Sequence, residues 1–567
     1  MTTESKWRAN WPVNGFSATV EEGGPWWRIP LKHLLIILLS AYFLFFFRMS
    51  SYDLWSPDEP RYAQVAREML RSGDWIVPHL NGQIYTEKPP LYFWLVAALS
   101  KPLGDVNELT ARFPSATASL LLMLLTYFFG SWLLGRREAL LGTLIMATSA
   151  QFVGIGRIGV IDMLLALSIS AALCLFCAAY ARRAVAFYLA GFASLAPAAL
   201  AKGPVGLVVP VAVMFVFIGS EIVLRREGAW RESLRFTLCL VAGLALVALV
   251  VAPWWRAAYV QSEGVYGSIS VLAKQTGGRM FDSYSHRRPF FYYLYNIPWQ
   301  LLPWTFFIPL TVRTLKREAN LRAHQGLRFL FVWFAAIIVF FTLISGKRSQ
   351  YILPLFPAAS LLMSWALIKR NPFEGRLRER NEYWVPCAGL ALASAVALPV
   401  FTIISYVYLR EIFWFALAAA IVGETGLFLV ARRLMNIPPL SALLGVAVAT
   451  ILISAALFGY VAPAADKYLS ARSFCTAVRG AIEEGDSLYF YQTYRPNINY
   501  YMGRNMTRLN SNEEVMQALG KDENIYVVLE HKRLQLLEAG DFLILDQIAR
   551  GQVGSRDLVC VLVHHAG

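Results

Sequence analysis

Charged residues are scarce in this sequence. They make up 16% of 567 residues, against 57% hydrophobic types, and mean hydropathy is +0.47. A soluble domain carries about 25% charge, so this scarcity excludes a single water-soluble globule. Cysteine is rare too, with six in the chain. Cys174, Cys177, Cys239 and Cys387 fall inside apolar runs and read as small packing residues. Cys174 and Cys177 have C-x-x-C spacing but sit mid-span with no second pair or histidine nearby, which argues against a metal there. Cys475 and Cys560 flank a polar C-terminal region, and a disulfide between them is expected if that region is extracytoplasmic. There is no cleavable signal pattern, no low-complexity segment and no short-period repeat; the first apolar run reads as an uncleaved span.

What is abundant is long apolar runs. At roughly 17–25 residues per crossing, spans are predicted near 32–48, 113–133, 138–156, 161–180, 184–201, 204–223, 235–254, 298–314, 328–344, 352–369, 385–407, 412–431 and 439–462. The loops then alternate in charge. Arg136-Arg137, Arg182-Arg183, Arg225 to Arg235, Arg313 to Arg328, Lys369 to Arg380 and Arg432-Arg433 all fall on one side, with the segment before the first span. By the positive-inside rule that side is cytoplasmic. Segments 49–112, 157–162, 202–203, 255–297, 345–351 and 408–411 then face outward, as does the C-terminus. The apolar stretch 89–103 is too short to cross and would put the arginine pairs on the wrong side, so it is read as interfacial. The net charge of +15 is mostly this topology together with contact to anionic lipid, and its dispersal over short loops excludes a nucleic-acid partner.

From Lys467 onward the pattern changes. Helical periodicity at 470–484, 512–519 and 532–538 alternates with strand-like runs at 487–492, 525–530, 542–547 and 558–564. The predicted fold is a polytopic α-helical membrane protein of about thirteen spans. Residues 1–466 form its membrane domain, with outer loops 49–112 and 255–297, and 467–567 form a small outer α/β domain.

The unusual polar residues collect on the outer side. Ser56-Pro57-Asp58-Glu59-Pro60-Arg61-Tyr62 suits a turn into a helix, with Ser56 or Asp58 as a cap and the ions either solvated or functional. In Tyr85-Thr86-Glu87-Lys88-Pro89-Pro90 the double proline fixes Lys88 at the membrane surface, where it either snorkels or holds a phosphate. Arg157 with Asp162, and Lys202, mark two further outer turns. In the long outer loop, His286 is either solvated or pairs with Glu87 around a metal, and Arg288 suits a phosphate or a headgroup. Lys347, Arg348 and Tyr351 place two cations and a phenol on the same side. Tyr491, Tyr494 and Arg495 of the C-terminal region either pack or touch substrate. Carboxylates, cations and phenols converging on one membrane surface suit a substrate that carries phosphate and lipid tails.

DEPRYAQVAREML at 58–70 and GDWIVPHLNGQIYTEKPPLYFWL at 73–95 carry a family resemblance, as do RIGVIDMLLAL at 157–167, LAKGPVGLVVP at 200–210 and SGKRSQYILPLFPA at 345–358. They resemble the aminoarabinose transferases that modify lipid A, within the protein-O-mannosyltransferase-like superfamily. The resemblance implies the GT-C architecture and an inverting transfer of 4-amino-4-deoxy-L-arabinose from undecaprenyl phosphate to a lipid A phosphate. That activity would sit at the periplasmic face of a bacterial inner membrane, in a monomer, with polymyxin resistance as its outcome. It also implies roles: Asp58 and Asp162 as the two acids, Lys88 as the phosphate-binding lysine, and Arg61, Tyr62, Tyr85, Lys202, Arg288, Lys347 and Tyr351 as substrate-binding. Glu87 and His286 would be a metal pair, for zinc or another divalent ion. The sequence departs from the family at Arg348-Ser349-Gln350, where a Lys-Leu-Pro-like tripeptide is usual. A transferase acting on protein or glycan, and a lipid flippase, are the competing classes. A transporter would carry its ionisable groups at mid-membrane, whereas here they fall at the outer rim.

Overall fold

The structure is a computed structural model that describes residues 28–267, 287–318, 321, 324–369, 384–408, 439–483, 485–540 and 542–565, with scattered positions between 410 and 430. Among the described residues eight helices are long and apolar enough to cross a membrane, or nine if one bent pair is a single span. They include Glu108–Leu133, Asp162–Arg182, Val205–Val223, Gln325–Leu343 and a 33-residue helix, Ala229–Gln261. The protein is therefore a multi-pass membrane protein. The first apolar run forms the shorter helix Leu31–Ala41, continued by a π-helical turn, Tyr42–Phe46. The stretch predicted to lie at the interface forms a helix at Leu91–Ser100 with a short 3-10 turn after it, below spanning length. Predicted span 385–407 lies in the helix Trp384–Tyr408, and predicted span 412–431 falls largely outside the described residues.

Two predicted spans are not single helices. Region 138–156 is Arg136–Ala147 plus Ala150–Arg157, bent by 64°. At the bend Thr148 Oγ1 donates to the Leu144 carbonyl at 2.5 Å and Ser149 Oγ to that of Ile145 at 2.7 Å. Such bonds compete with the helical ladder and bend it. Trp304 Nε1 donates to Thr148 Oγ1 at 2.8 Å and fixes the corner. Region 298–314 breaks into Tyr292–Gln300, the turn Trp304–Phe307 and Ile308–Glu318. Pro303 lacks the N–H that would continue the first of these, a cost the apolar pattern did not reveal.

The C-terminal region forms a five-stranded sheet. The outer-loop hairpin takes the labels β1 (His79–Leu80) and β2 (Gln83–Ile84). The sheet then comprises β3 (Leu488–Tyr491), β4 (Thr507–Leu509), β5 (Asn524–Glu530), β6 (Phe542–Val553) and β7 (Arg556–His565). Its order is β4-β3-β5-β7-β6. β3 runs parallel to β4 and β5, while β7 is antiparallel to β5 and β6. Helix Asn512–Leu519 matches its predicted bounds, whereas helix Pro496–Met502 and β4 carry too few apolar residues in period to be foreseen. The disulfide expected between Cys475 and Cys560 is not formed; both are buried free thiols of the core.

This small domain is bonded to the first outer loop. Leu54 N donates to Tyr501 Oη at 2.7 Å, and Arg67 Nη1 to the Tyr500 carbonyl at 2.7 Å. Arg472 pairs with Asp53 at 2.8 Å and with Glu108. Asp466, at the foot of the domain, accepts from Asp53 N at 2.9 Å and from Trp55 Nε1 at 2.8 Å.

Candidate active site

The helix Asp58–Ser72, in the loop after the first apolar run, begins with adjacent carboxylates. Neither Ser56 nor Asp58 caps it; Pro57 takes the N-cap position with no side-chain bond, and Asp58 is the first helical residue. Consecutive helical residues point about 100° apart, and the two acids part accordingly. Glu59 turns inward and is 3% exposed. It pairs with the fully buried Arg112 at 2.8 Å and accepts from Trp55 N at 3.1 Å and Gly159 N at 2.7 Å. Arg112 in turn binds the carbonyls of Met49, Tyr52 and Asp53 at 2.7–2.8 Å. Gly159 can approach only because it lacks a side chain: a Cβ there would lie 2.9 Å from the Ala111 carbonyl oxygen. Glu59 and Arg112 thereby fix the turn that presents Asp58.

Asp58 points the other way, between two guanidiniums. Its Oδ1 lies 3.6 Å from Arg61 and its Oδ2 3.2 Å from Arg348. Arg61 also stands 3.9 Å from Glu87. Burial works against the charge on Arg61, but Tyr85, Asp58 and Glu87 outweigh it and raise its pKa. The Tyr62 and Tyr85 phenols are buried under the same helix, with Phe93 against both, and burial pushes both pKa values up. The charges of Asp58, Asp162 and Arg61 all act on the buried Tyr62 phenol.

The second acid stands at the start of helix Asp162–Arg182, where a carboxylate suits the helix dipole. Lys202 Nζ meets its Oδ1 at 2.5 Å and lies 4.5 Å from the Tyr351 ring centre. Lys202 ends its helix and is followed by Gly203 at φ 81°, a conformation open to glycine, and by Pro204, which starts the next helix. Arg157, in contrast, is fully buried and holds the Leu44 and Phe47 carbonyls at 3.0 and 2.7 Å, a structural role. Lys88 follows Glu87 in the turn, and its carbonyl accepts from Tyr266 Oη at 2.8 Å.

Asp58, Arg61, Tyr62, Tyr85 and Glu87 thus form one group, and Asp162, Lys202 and Tyr351 an adjacent one. Lys347 does not join them: it is 4% exposed and its ammonium donates to the Ile344 carbonyl, with burial lowering its pKa. The next residue, Arg348, reaches Asp58 instead. It stands in the tripeptide that departs from the family, and a second cation directly after a lysine gave the one sequence signal for it. Glu59 and Arg112 carried no such signal. Arg288 is exposed, its guanidinium 6.0 Å from the Tyr292 ring. His286 lies outside the described residues. Glu87 faces a guanidinium, and no group of three or more His, Cys, Asp or Glu among the described residues is arranged to hold a metal. Of the pair expected to hold a metal, only Glu87 is among the described residues.

A body of apolar helices, a helical first outer loop and an α/β domain seated over it, with charge gathered between them, define the GT-C membrane glycosyltransferase fold. The structure aligns with ArnT of Cupriavidus metallidurans bound to undecaprenyl phosphate at TM-score 0.73 and 21% identity, over 94% of this chain and 97% of that one. Residues 31–262 match the Dolichyl-phosphate-mannose-protein mannosyltransferase family. The undecaprenyl phosphate-alpha-4-amino-4-deoxy-L-arabinose arabinosyl transferase of Aeromonas hydrophila subsp. hydrophila is 32% identical over 58% of each chain. That of Pectobacterium carotovorum subsp. carotovorum is 33% identical over 65% of each. The matched region spans about three-fifths of the length of these relatives. Over residues 31–262 the chain is thus similar to that mannosyltransferase family, and over about three-fifths of its length to the aminoarabinose transferases.

Proposed function

We propose that this protein transfers 4-amino-4-deoxy-L-arabinose from undecaprenyl phosphate to a phosphate of lipid A. It would work as a monomer at the periplasmic face of the inner membrane, with its N-terminus cytoplasmic and its C-terminal domain periplasmic. The observation that carries this reading is the engagement of both Asp58 oxygens by arginines, at 3.6 and 3.2 Å. A carboxylate so occupied is held as a positioning group between two cations. A phosphate acceptor needs no base, because it is already anionic near neutral pH; a hydroxyl acceptor would. The names of the relatives point to the same sugar and donor.

In the reaction an acceptor phosphate oxygen forms a bond to the sugar C1 as the bond from C1 to the polyprenyl phosphate oxygen breaks, with inversion. Both electrons of the broken bond leave with the phosphate. Lys88, Arg61 and Arg348 stabilise that developing charge, the largest contribution such a site makes. Asp58 holds the two arginines in place, one on each carboxylate oxygen, and also attracts the donor's ammonium group. Asp162 fixes Lys202 over Tyr351. Carboxylates interleaved with cations let two phosphates approach each other without prohibitive repulsion.

The test is mass spectrometry of lipid A from a host lacking its own aminoarabinose transferase, expressing the wild type or Asp58→Asn. A pentosamine mass added by the wild type and missing with the variant, at equal membrane abundance, is the expected result. No added mass, with donor lipid shown to be present, overturns the lipid A assignment.

A further inference from the structure

The parallel part of the C-terminal sheet has a topological switch point. After β3 the chain turns aside through helix Pro496–Met502 to β4, while β5 lies on the other flank of β3 and feeds forward to β6. Ligands of open α/β sheets bind at the carboxyl ends of strands where connections diverge in this way. Here those ends carry Tyr494 and Arg495 after β3, and Glu530, Lys532 and Arg533 at and after β5.

Four cations stand around one carboxylate. Glu530 is 5% exposed and meets Arg495 at 3.4 Å, Lys532 at 3.1 Å and Arg556 at 3.0 Å. Arg533 bonds the Gln492 carbonyl across the crevice. The buried carboxylate pre-orders these side chains yet neutralises only one of them. Lys532 remains 64% exposed and Arg556 42%. His531 Nδ1 is buried here without a hydrogen-bond partner.

The crevice opens toward the membrane body. Tyr494 Oη accepts from Asn81 of the β1–β2 turn, and the charges of Arg61, Glu68 and Glu87 reach its phenol. Gly554, in the turn just before Arg556, donates to the carbonyl of Tyr468 at the end of the last span, at 2.7 Å.

We propose that the cationic rim of Arg495, Lys532, Arg533 and Arg556 is a second phosphate subsite, which takes a phosphate of the acceptor glycolipid other than the one that receives the sugar. This rests on the lipid A reading of the transfer site. A headgroup with two phosphates would be gripped at one by the small domain while the other is presented to Arg61 and Arg348. A guanidinium and ammonium cluster ordered by a buried acid suits such a phosphomonoester.

The test uses the full-length protein in phosphatidylcholine nanodiscs without donor. Bisphosphorylated lipid A, its monophosphoryl form and phosphatidylglycerol are titrated against wild type, Lys532→Glu and Lys532→Arg. The expected result is about tenfold weaker binding of the bisphosphate to Lys532→Glu, near-wild-type binding to Lys532→Arg, and no change for the monophosphoryl form. An equal loss for phosphatidylglycerol would make the rim a membrane-docking surface and overturn the proposal, as would bisphosphate binding unchanged by Lys532→Glu. Because no transfer is needed, a wild type that discriminates bisphosphate from monophosphate but adds no pentosamine defeats the transfer reading and leaves the subsite standing.

Discussion

Arg348 Nη1 lies 3.2 Å from Asp58 Oδ2, although 290 positions of chain separate the two residues. The contact closes a bracket around the carboxylate whose other arm is Arg61, one helical turn away. The backbone that carries Arg348 is itself fixed: its carbonyl accepts from Tyr293 Oη at 3.1 Å, and Gly346 bridges Arg287. Charge at this site is therefore positioned by three separate segments of the chain.

Arg348→Leu is expected to lower kcat by about 10²-fold, the scale for loss of one charge-stabilising donor. Arg348→Lys should lose less, since it keeps the charge without the planar fork. Steady-state transfer with purified donor and acceptor checks this. A kcat unchanged in Arg348→Leu would remove the residue from the reaction.

Glu59→Gln should act on stability rather than chemistry. It leaves the buried Arg112 without its counter-ion, a change that costs about 3–5 kcal/mol. The expected readout is a marked fall in the unfolding temperature of detergent-purified protein. Asp58→Asn, at the neighbouring position, should leave that temperature nearly unchanged.

Asp162 and Lys202 are expected to act as one unit. In a double-mutant cycle of Asp162→Asn and Lys202→Met on kcat/KM, the coupling should be about 1–3 kcal/mol, as for residues in direct contact. Additive losses would show that each works alone.

The small domain should weaken in acid through Glu530. Burial works against its charge, yet Lys532, Arg556 and Arg533 more than offset this and hold its carboxyl below the usual range. A carboxyl lowered on folding contributes stability at pH values above its unfolded pKa of about 4.3 and loses it as pH falls through the folded value. The gap in domain unfolding temperature between wild type and Glu530→Gln should be widest near neutral pH and close below the folded pKa. A gap independent of pH would show that the carboxylate charge contributes nothing.

Much of the architecture was legible in the sequence. Apolar run length and loop charge located most spans, because water and lipid impose the same accounting on every residue of a crossing helix. The breaks at Thr148-Ser149 and Pro303 were not legible, since each depends on what Trp304 or a neighbouring turn does locally. Asp58, Arg61, Asp162 and Lys202 could be singled out because ions at a membrane rim are costly without purpose. Lys347 and Arg348 could not be told apart: both are cations in one loop, and only the fold shows that the lysine turns inward and the arginine outward. Glu59 was hidden for the opposite reason, as an acid beside an acid, whose partner Arg112 lies 53 positions away.

The bonds between the first outer loop and the small domain also set an order of assembly. Asp53, Leu54 and Arg67 are made early, yet Asp466, Tyr500 and Tyr501 reach them from more than 400 positions later. During synthesis the loop that carries Asp58 must wait beside the membrane with those groups in water until almost the whole chain has emerged. A chain cut before residue 500 would keep the bonds of Asp466 and Arg472 to this loop but lack those of Tyr500 and Tyr501. The seating of the Asp58 helix is thus completed only by the last part of the chain to be made.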